Sequence, residues 1–187
     1  MADDPTMARM RQLTIGAIER RPVVLAEPDP AWADQFDVER RLIAGALAET
    51  AVELHHVGST SVAGLPAKPT LDLVLVVSDP VDEPAYVPAL ESIGYQLRIR
   101  EPDWYQHRLL RRPPAEIHLH VFGPACVEVE RMLRFRDHLR AHPDDRDAYA
   151  DEKRRLGARD WPTVQHYADA KTEIITRILE RAAAPEA

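Results

Sequence analysis

One cysteine, three lysines and no long uncharged apolar run set the first limits on this 187-residue chain. Cys126 stands alone, which excludes an intrachain disulfide and suits a reducing compartment. No segment has the apolar length of a membrane span, and the amino-terminal residues lack the apolar core of a signal peptide, so a cytoplasmic location without a membrane partner is expected. Positive charge is scarce: 24 Lys and Arg stand against 31 Asp and Glu, for a net charge of −7. A polyanion binder shows a basic domain or stripe, and none is evident, which argues against nucleic acid as the main partner. The pairs Arg20/Arg21, Arg40/Arg41 and Arg111/Arg112 are interspersed with acids or prolines and read as solvated surface. Repeats are absent, and no linker is rich enough in Gly or Ser to separate two large domains.

What remains reads as one domain, long enough to bury a core. Strands are expected at 22–26, 52–57, 70–77, 95–100, 105–110 and 116–122. A long helix is expected from Asp29 to Glu49, started by Asp29 before Pro30, and a shorter one from Glu83 to Ile93. Three carboxy-terminal helices follow, the middle one over 147–156. The pattern predicts a mixed α/β fold: a core at about 22–123, a helical part at about 124–182, an amino-terminal tail or short helix over 1–21, and a disordered tail at 183–187.

The chemistry concentrates between His55 and Val77. Gly58-Ser59-Thr60-Ser61 follows a short strand and forms a turn where backbone and hydroxyls can approach a ligand. Thr70 to Val77 is then an apolar run of strand length that reads as central and covered on both faces. Alternation puts Asp72 on one face with Thr70, Val74 and Val76. A carboxylate in such a strand needs a cation, a metal or several N–H donors beside it. On the strand Glu116 to Val121, alternation aligns Glu116, His118 and His120. With Asp72, the two imidazoles form a candidate two-His, one-carboxylate metal set; alternatively they hydrogen-bond Asp72 or a bound phosphate directly.

At these residues the chain resembles the GrpB family of the polymerase-beta-like nucleotidyltransferase superfamily. The resemblance rests on HHVGSTSVAGL with KPTLDL, on EIHLHVF, on FRDHLRAHP, and on the pairs Tyr149-x-x-x-Lys153 and Tyr167-x-x-x-Lys171. It runs from about Val24 to Leu179 and implies a nucleotidyltransferase-like mixed sheet flanked by helices, with a helical carboxy-terminal part. It also implies that Gly58, Ser59, Thr60 and Ser61 hold nucleotide phosphates and that Asp72 binds a divalent metal (Mg, Mn or Zn). Active members of the superfamily carry an Asp-x-Asp pair, whereas the second position here is Val74. That departure weakens the expectation of two-metal catalysis.

Lysine usage points to an anion independently. Arginine is the default cation of this chain, and the only lysines, Lys68, Lys153 and Lys171, all fall within the motifs above. A lysine kept among arginines suggests a need for a compact ammonium group. Helical periodicity turns Arg136 toward the apolar face of Val129, Met132, Leu133 and Leu139, and sets Lys171 within the stripe Val164, Tyr167, Ile174, Ile175 and Ile178. Tyr149 and Lys153 are neighbours one turn apart. Trp104, Tyr105 and Trp161 are candidates for stacking on a base, or pack at the rim.

Two functions are consistent with these residues. One is a metal-dependent transferase that takes a nucleoside triphosphate and passes a nucleotidyl group to a small acceptor, with Asp72, His118 and His120 at the reacting centre and Lys68, Lys153, Lys171 and Arg136 clamping phosphates. The other is a catalytically silent accessory or binding module for a nucleotide or another anionic metabolite.

Overall fold

In the computed structural model, residues 4–18, 22–48, 51–114 and 116–184 are described. Its strands are β1 (Ala51–Val57), β2 (Leu71–Val77), β3 (Gln96–Glu101), β4 (His107–Arg112) and β5 (Ile117–Phe122). They form one mixed sheet in the order β1-β2-β5-β4-β3. β2 and β5 run parallel, and the other neighbouring pairs are antiparallel. The apolar run is therefore central, as its composition requires, because β2 has a neighbour on each edge.

The helices are α1 (Pro5–Leu13), α2 (Ala31–Leu47), α3 (Val87–Ser92), α4 (Val127–Ala141), α5 (Pro143–Gly157), α6 (Val164–Asp169) and α7 (Thr172–Ala183). α2 and α3 cover one face of the sheet, where Trp32, Ile43, Leu47 and Leu90 pack on Leu71, Leu73, Leu75, Leu110 and Leu119. On the other face Val57, Val74, Val76 and Phe122 meet Val129 of α4. Leu139, Tyr149, Ala150, Ile174 and Ile178 tie α4, α5 and α7 together over Val62 and Leu65. In β2 every residue is buried except Asp72, which is partly open on that second face.

Several expected boundaries shift. No strand forms at 22–26; Ala26 and Ala67 exchange a single pair of backbone hydrogen bonds, and Pro66 beside that bridge has no N–H with which to extend a ladder. The expected helix at 83–93 divides into a 3-10 turn (Glu83–Ala85) and α3, because Pro88 lies in the first turn of α3 and starts a helix instead of continuing one. The middle carboxy-terminal helix starts earlier, at Pro143, a first-turn proline. The last apolar stripe spans two helices, and Lys171 is the residue that caps α7 at the junction.

Within the amino-terminal tail, Pro5–Leu13 forms α1. The Asp4 carboxylate accepts from the Thr6 and Met7 amides at 3.0 and 3.5 Å, and Pro5 fills the first turn. The segment is tied down on both sides. Asp4 meets His166 of α6 at 2.7 Å, Arg9 meets Glu101 of β3 at 2.9 Å, and the Ile15 amide donates to the Arg98 carbonyl at 2.7 Å.

Candidate functional site

Parallel pairing of β2 with β5 sets Asp72 directly opposite His118, with His120 one pleat further along the same face. The Asp72 Oδ1 atom lies 3.3 Å from His118 Nδ1 and 4.0 Å from His120 Nε2. Burial raises the Asp72 carboxyl, but hydrogen bonds and charge from the two imidazoles outweigh it and hold the group well below the usual carboxylate range. Antiparallel pairing of β1 with β2 puts Val57 opposite Asp72, so the following Gly58 arrives beside the carboxylate. Gly58 has φ +67°, and a Cβ there would sit 2.5 Å from Asp72 Oδ2. Glycine is needed at this position both for its backbone angle and for its lack of a side chain.

Around this floor lies a pocket of about 390 Å³ lined by Gly58, Ser59, Lys68, Thr70, Asp72, His118, His120, Arg131, Tyr149, Lys153, Gln165, Tyr167 and Lys171, with apolar contributions from Leu109, Met132, Phe135 and Ile175. Every lysine of the chain is in it. Lys153 is 2% exposed and donates to the Pro66 carbonyl. Lys171 Nζ stands 4.6 Å above the Tyr167 ring, and Lys153 Nζ is 5.4 Å from the Tyr149 ring. Among the described residues neither the Lys68 nor the Lys171 ammonium makes a hydrogen bond or ion pair. Burial, together with the neighbouring Lys171 ammonium, pushes Lys153 down to about 6. Burial likewise lowers Lys68 and Lys171, with Asp72 opposing in each case. Three lysines thus share one carboxylate in a partly desolvated space, with Lys153 largely uncharged until an anion arrives, an arrangement that favours an added anion. Tyr167 supports this: it is 2% exposed, and its buried hydroxyl has no partner among the described residues.

The turn contributes unevenly. Gly58 and Ser59 line the pocket, whereas Thr60 donates to the Thr70 carbonyl at 3.2 Å and meets His56 at 3.0 Å, and Ser61 donates to the Gly58 carbonyl at 2.6 Å. Thr60 and Ser61 hold the shape of the loop and face a different cavity. Arg136 is turned away as well: it donates to the His56 carbonyl at 3.0 Å and pairs with Asp137 at 2.7 Å. Its position on the α4 face was legible; the carbonyl that captures it was not. Of the expected phosphate clamps, Lys68, Lys153 and Lys171 come together with Asp72, and Arg136 does not join them.

Arg131 lines the pocket without having been anticipated; it pairs with Glu128 at 2.6 and 2.7 Å. A second unanticipated group stands behind His120, where Glu101 and His107 extend the line of polar side chains: Glu101 Oε2 to His107 Nδ1 is 2.8 Å, and His107 Nε2 to His120 Nδ1 is 3.0 Å. A histidine on a predicted strand was the available signal, but antiparallel register cannot be read from one chain.

The donor set does not match a two-metal centre. Val74, where the resemblance leads one to expect a second carboxylate, is fully buried in the apolar layer. Among the described residues no three His, Cys, Asp or Glu side chains are disposed to hold a metal ion. His120 already engages His107, and the three lysines stand in the same pocket. No helix among the described residues is long and apolar enough to cross a membrane.

Comparison with known proteins gives one consistent answer. The family model described as GrpB protein matches residues 22–181. The UPF0157 protein of Halalkalibacterium halodurans is 49% identical over 179 residues, covering 95% of this chain and 92% of that one. A crystal structure of the conserved protein GrpB from Enterococcus faecalis matches with a TM-score of 0.76 and 30% identity, over 85% of this chain and 96% of that one. Cid1 poly(U) polymerase overlaps more weakly, with a TM-score of 0.42 and 11% identity over 79% of this chain and 47% of that one.

Proposed function

The chain belongs to the GrpB family, and we propose that it binds a nucleotide, or a closely related phosphorylated metabolite, through the lysine-lined pocket. The observation that carries this reading is the convergence of Lys68, Lys153 and Lys171 on the single carboxylate Asp72. Phosphate oxygens in the pocket would restore the charge balance that burial and mutual repulsion upset. The Tyr167 hydroxyl, Ser59 and the backbone around Gly58 would add donors. The lysines would do the neutralising that metal ions do in other phosphate sites, so binding would not require a divalent cation.

Transfer of the nucleotidyl group to a small hydroxylic acceptor is a second reading, favoured by the Asp72–His118 pair at 3.3 Å on the pocket floor. In it the acceptor hydroxyl gives its proton to an imidazole, the oxygen attacks the α-phosphorus, and pyrophosphate leaves among the lysines.

Thermal-shift and calorimetric titration with ATP, CTP, GTP and UTP, each with and without Mg²⁺, Mn²⁺ or Zn²⁺, tests binding. A ligand at about 100 times its Kd stabilises the native state by about 2.7 kcal/mol. The expected result is stabilisation by at least one nucleotide in the absence of metal. No stabilisation by any of them, in folded protein, sinks the reading; binding only with metal sinks the lysine account. Pyrophosphate release with a panel of hydroxylic acceptors, lost in Asp72→Asn, would move the reading from binding to transfer.

A further inference from the structure

A second cavity adjoins the lysine pocket. It measures about 300 Å³ and shares Lys68, Thr70, Leu109, His118, Val164 and Gln165 with it, so the two are immediate neighbours. Their linings differ in chemistry. Beyond the shared residues, the second compartment is walled largely by apolar side chains, Met10, Ile18, Pro22, Val24 and Ile99, with Thr14, Arg98 and the Arg111–Glu116 ion pair as its polar members. One polar group among them is unspent. Arg98 donates its Nη2 to the Ala17 carbonyl at 3.0 Å, while its buried Nε has no partner among the described residues.

The wall comes from the amino-terminal segment. Met10 and Thr14 lie on or beside α1, and Ala17 and Ile18 follow it, all before residue 22, where the family match begins. The tethers of α1 to β3 and α6 hold it across the opening, with the Thr163 hydroxyl 3.7 Å from Met10 sulfur. A tether at each end fixes the width of the compartment instead of leaving it to a frayed terminus.

We propose that this compartment is the specificity subsite for the non-phosphate body of the ligand: a weakly polar, ring-sized group carrying a hydrogen-bond acceptor, such as a nucleobase, with α1 as its outer wall. The proposal rests on the reading of the lysine pocket as a phosphate site and adds what the rest of the ligand must be. An anion without a body fills the lysine compartment alone. A phosphorylated compound with a planar apolar body fills both, covers apolar lining and gives Arg98 Nε an acceptor.

The experiment compares inorganic tripolyphosphate with ATP, GTP, CTP and UTP by thermal shift and calorimetry on the full chain. Wild-type protein, Met10→Trp and Val24→Trp are compared. Met10→Trp fills the compartment from α1; Val24 is 61% exposed, so Val24→Trp fills it from the rim and stays informative if the first variant folds poorly. The expected result is that at least one nucleotide binds wild-type protein about tenfold more tightly than tripolyphosphate. In the filled variants that advantage disappears while tripolyphosphate binding is kept. Equal binding of tripolyphosphate and all four nucleotides by wild-type protein overturns the subsite and leaves the phosphate reading standing. So does an unchanged nucleotide advantage in folded variants. No binding of tripolyphosphate or any nucleotide removes the phosphate reading and the subsite with it.

Discussion

His107 Nε2 lies 3.0 Å from His120 Nδ1, and the two rings are stacked with centroids 5.1 Å apart. Glu101 faces the other nitrogen of His107 at 2.8 Å. Burial lowers His107 to about 4, so its ring is neutral at pH 7 and carries its single proton on Nδ1, toward the carboxylate. Its Nε2 then accepts from His120 Nδ1–H, which leaves His120 Nε2 facing Asp72 Oδ1 at 4.0 Å. His120 should therefore populate the Nδ1–H tautomer, which is unusual for a free imidazole. Nitrogen-15 NMR of labelled histidine reads this directly. In His107→Phe the constraint is gone and His120 should return to the Nε2–H form; finding that form in wild-type protein would contradict the argument.

The same burial gives a stability prediction. His56, stacked on Phe36 at 5.0 Å, is also held at about 4 by burial, and both folded values lie below the unfolded value of 6.5. A depressed pKa means that the stability is present above pH 6.5 and is lost as pH falls toward 4, because the unfolded chain binds the protons first. Each histidine should contribute a slope of up to about 1.4 kcal/mol per pH unit in that window. Denaturant unfolding at pH 7, 6, 5 and 4 should show the fall, and His107→Phe should flatten it by about half.

Particular residues show how much of this was readable beforehand. Alternation in the central strand singled out Asp72, and alternation in the later strand aligned His118 with His120, because a period of two is a local property of the chain. Lysine scarcity found Lys68, Lys153 and Lys171. Arg136 was on the expected helix face, yet whether an inward arginine meets a ligand or a carbonyl depends on a contact 80 residues away. The Glu101–His107–His120 line and the wall made by α1 needed strand order and long-range packing, which no local pattern carries.

Gly58 and Asp72 should be energetically coupled. An alanine at 58 meets Asp72 Oδ2 at 2.5 Å and adopts φ +67°. Gly58→Ala should cost about 2 kcal/mol, combining backbone strain with displacement of the carboxylate. Asp72→Ala removes the clash with the carboxylate oxygen but keeps the 3.0 Å approach to its Cβ and the strain. A double-mutant cycle by denaturant unfolding should therefore return a coupling of about 1 kcal/mol. Strict additivity would mean that the carboxylate does not hold the position described.

Asp72→Asn makes a prediction of opposite sign for binding. Asp72 is the carboxylate around which the three lysines gather, and it repels an incoming phosphate. Neutralising it at nearly constant size should tighten ATP or tripolyphosphate binding by about tenfold. Under the transfer reading it should abolish turnover at the same time. Calorimetry settles the first point, and weaker binding would place the anion elsewhere.

Lys153 links binding to protons. Its value falls from 10.5 when unfolded to about 6 when folded. In the free protein the side chain is therefore largely neutral at pH 8, and the stability present above pH 10.5 is lost progressively as pH falls toward 6. A phosphate beside it favours the ammonium form and raises its pKa. Binding should then take up close to one proton per ligand between pH 7 and 8, and affinity should rise as pH is lowered through that range. Calorimetry in two buffers of different ionisation enthalpy measures the uptake. Lys153→Met should abolish the uptake and weaken binding, whereas Lys68→Met should weaken binding and leave most of it. Uptake that survives Lys153→Met would assign the proton to another group.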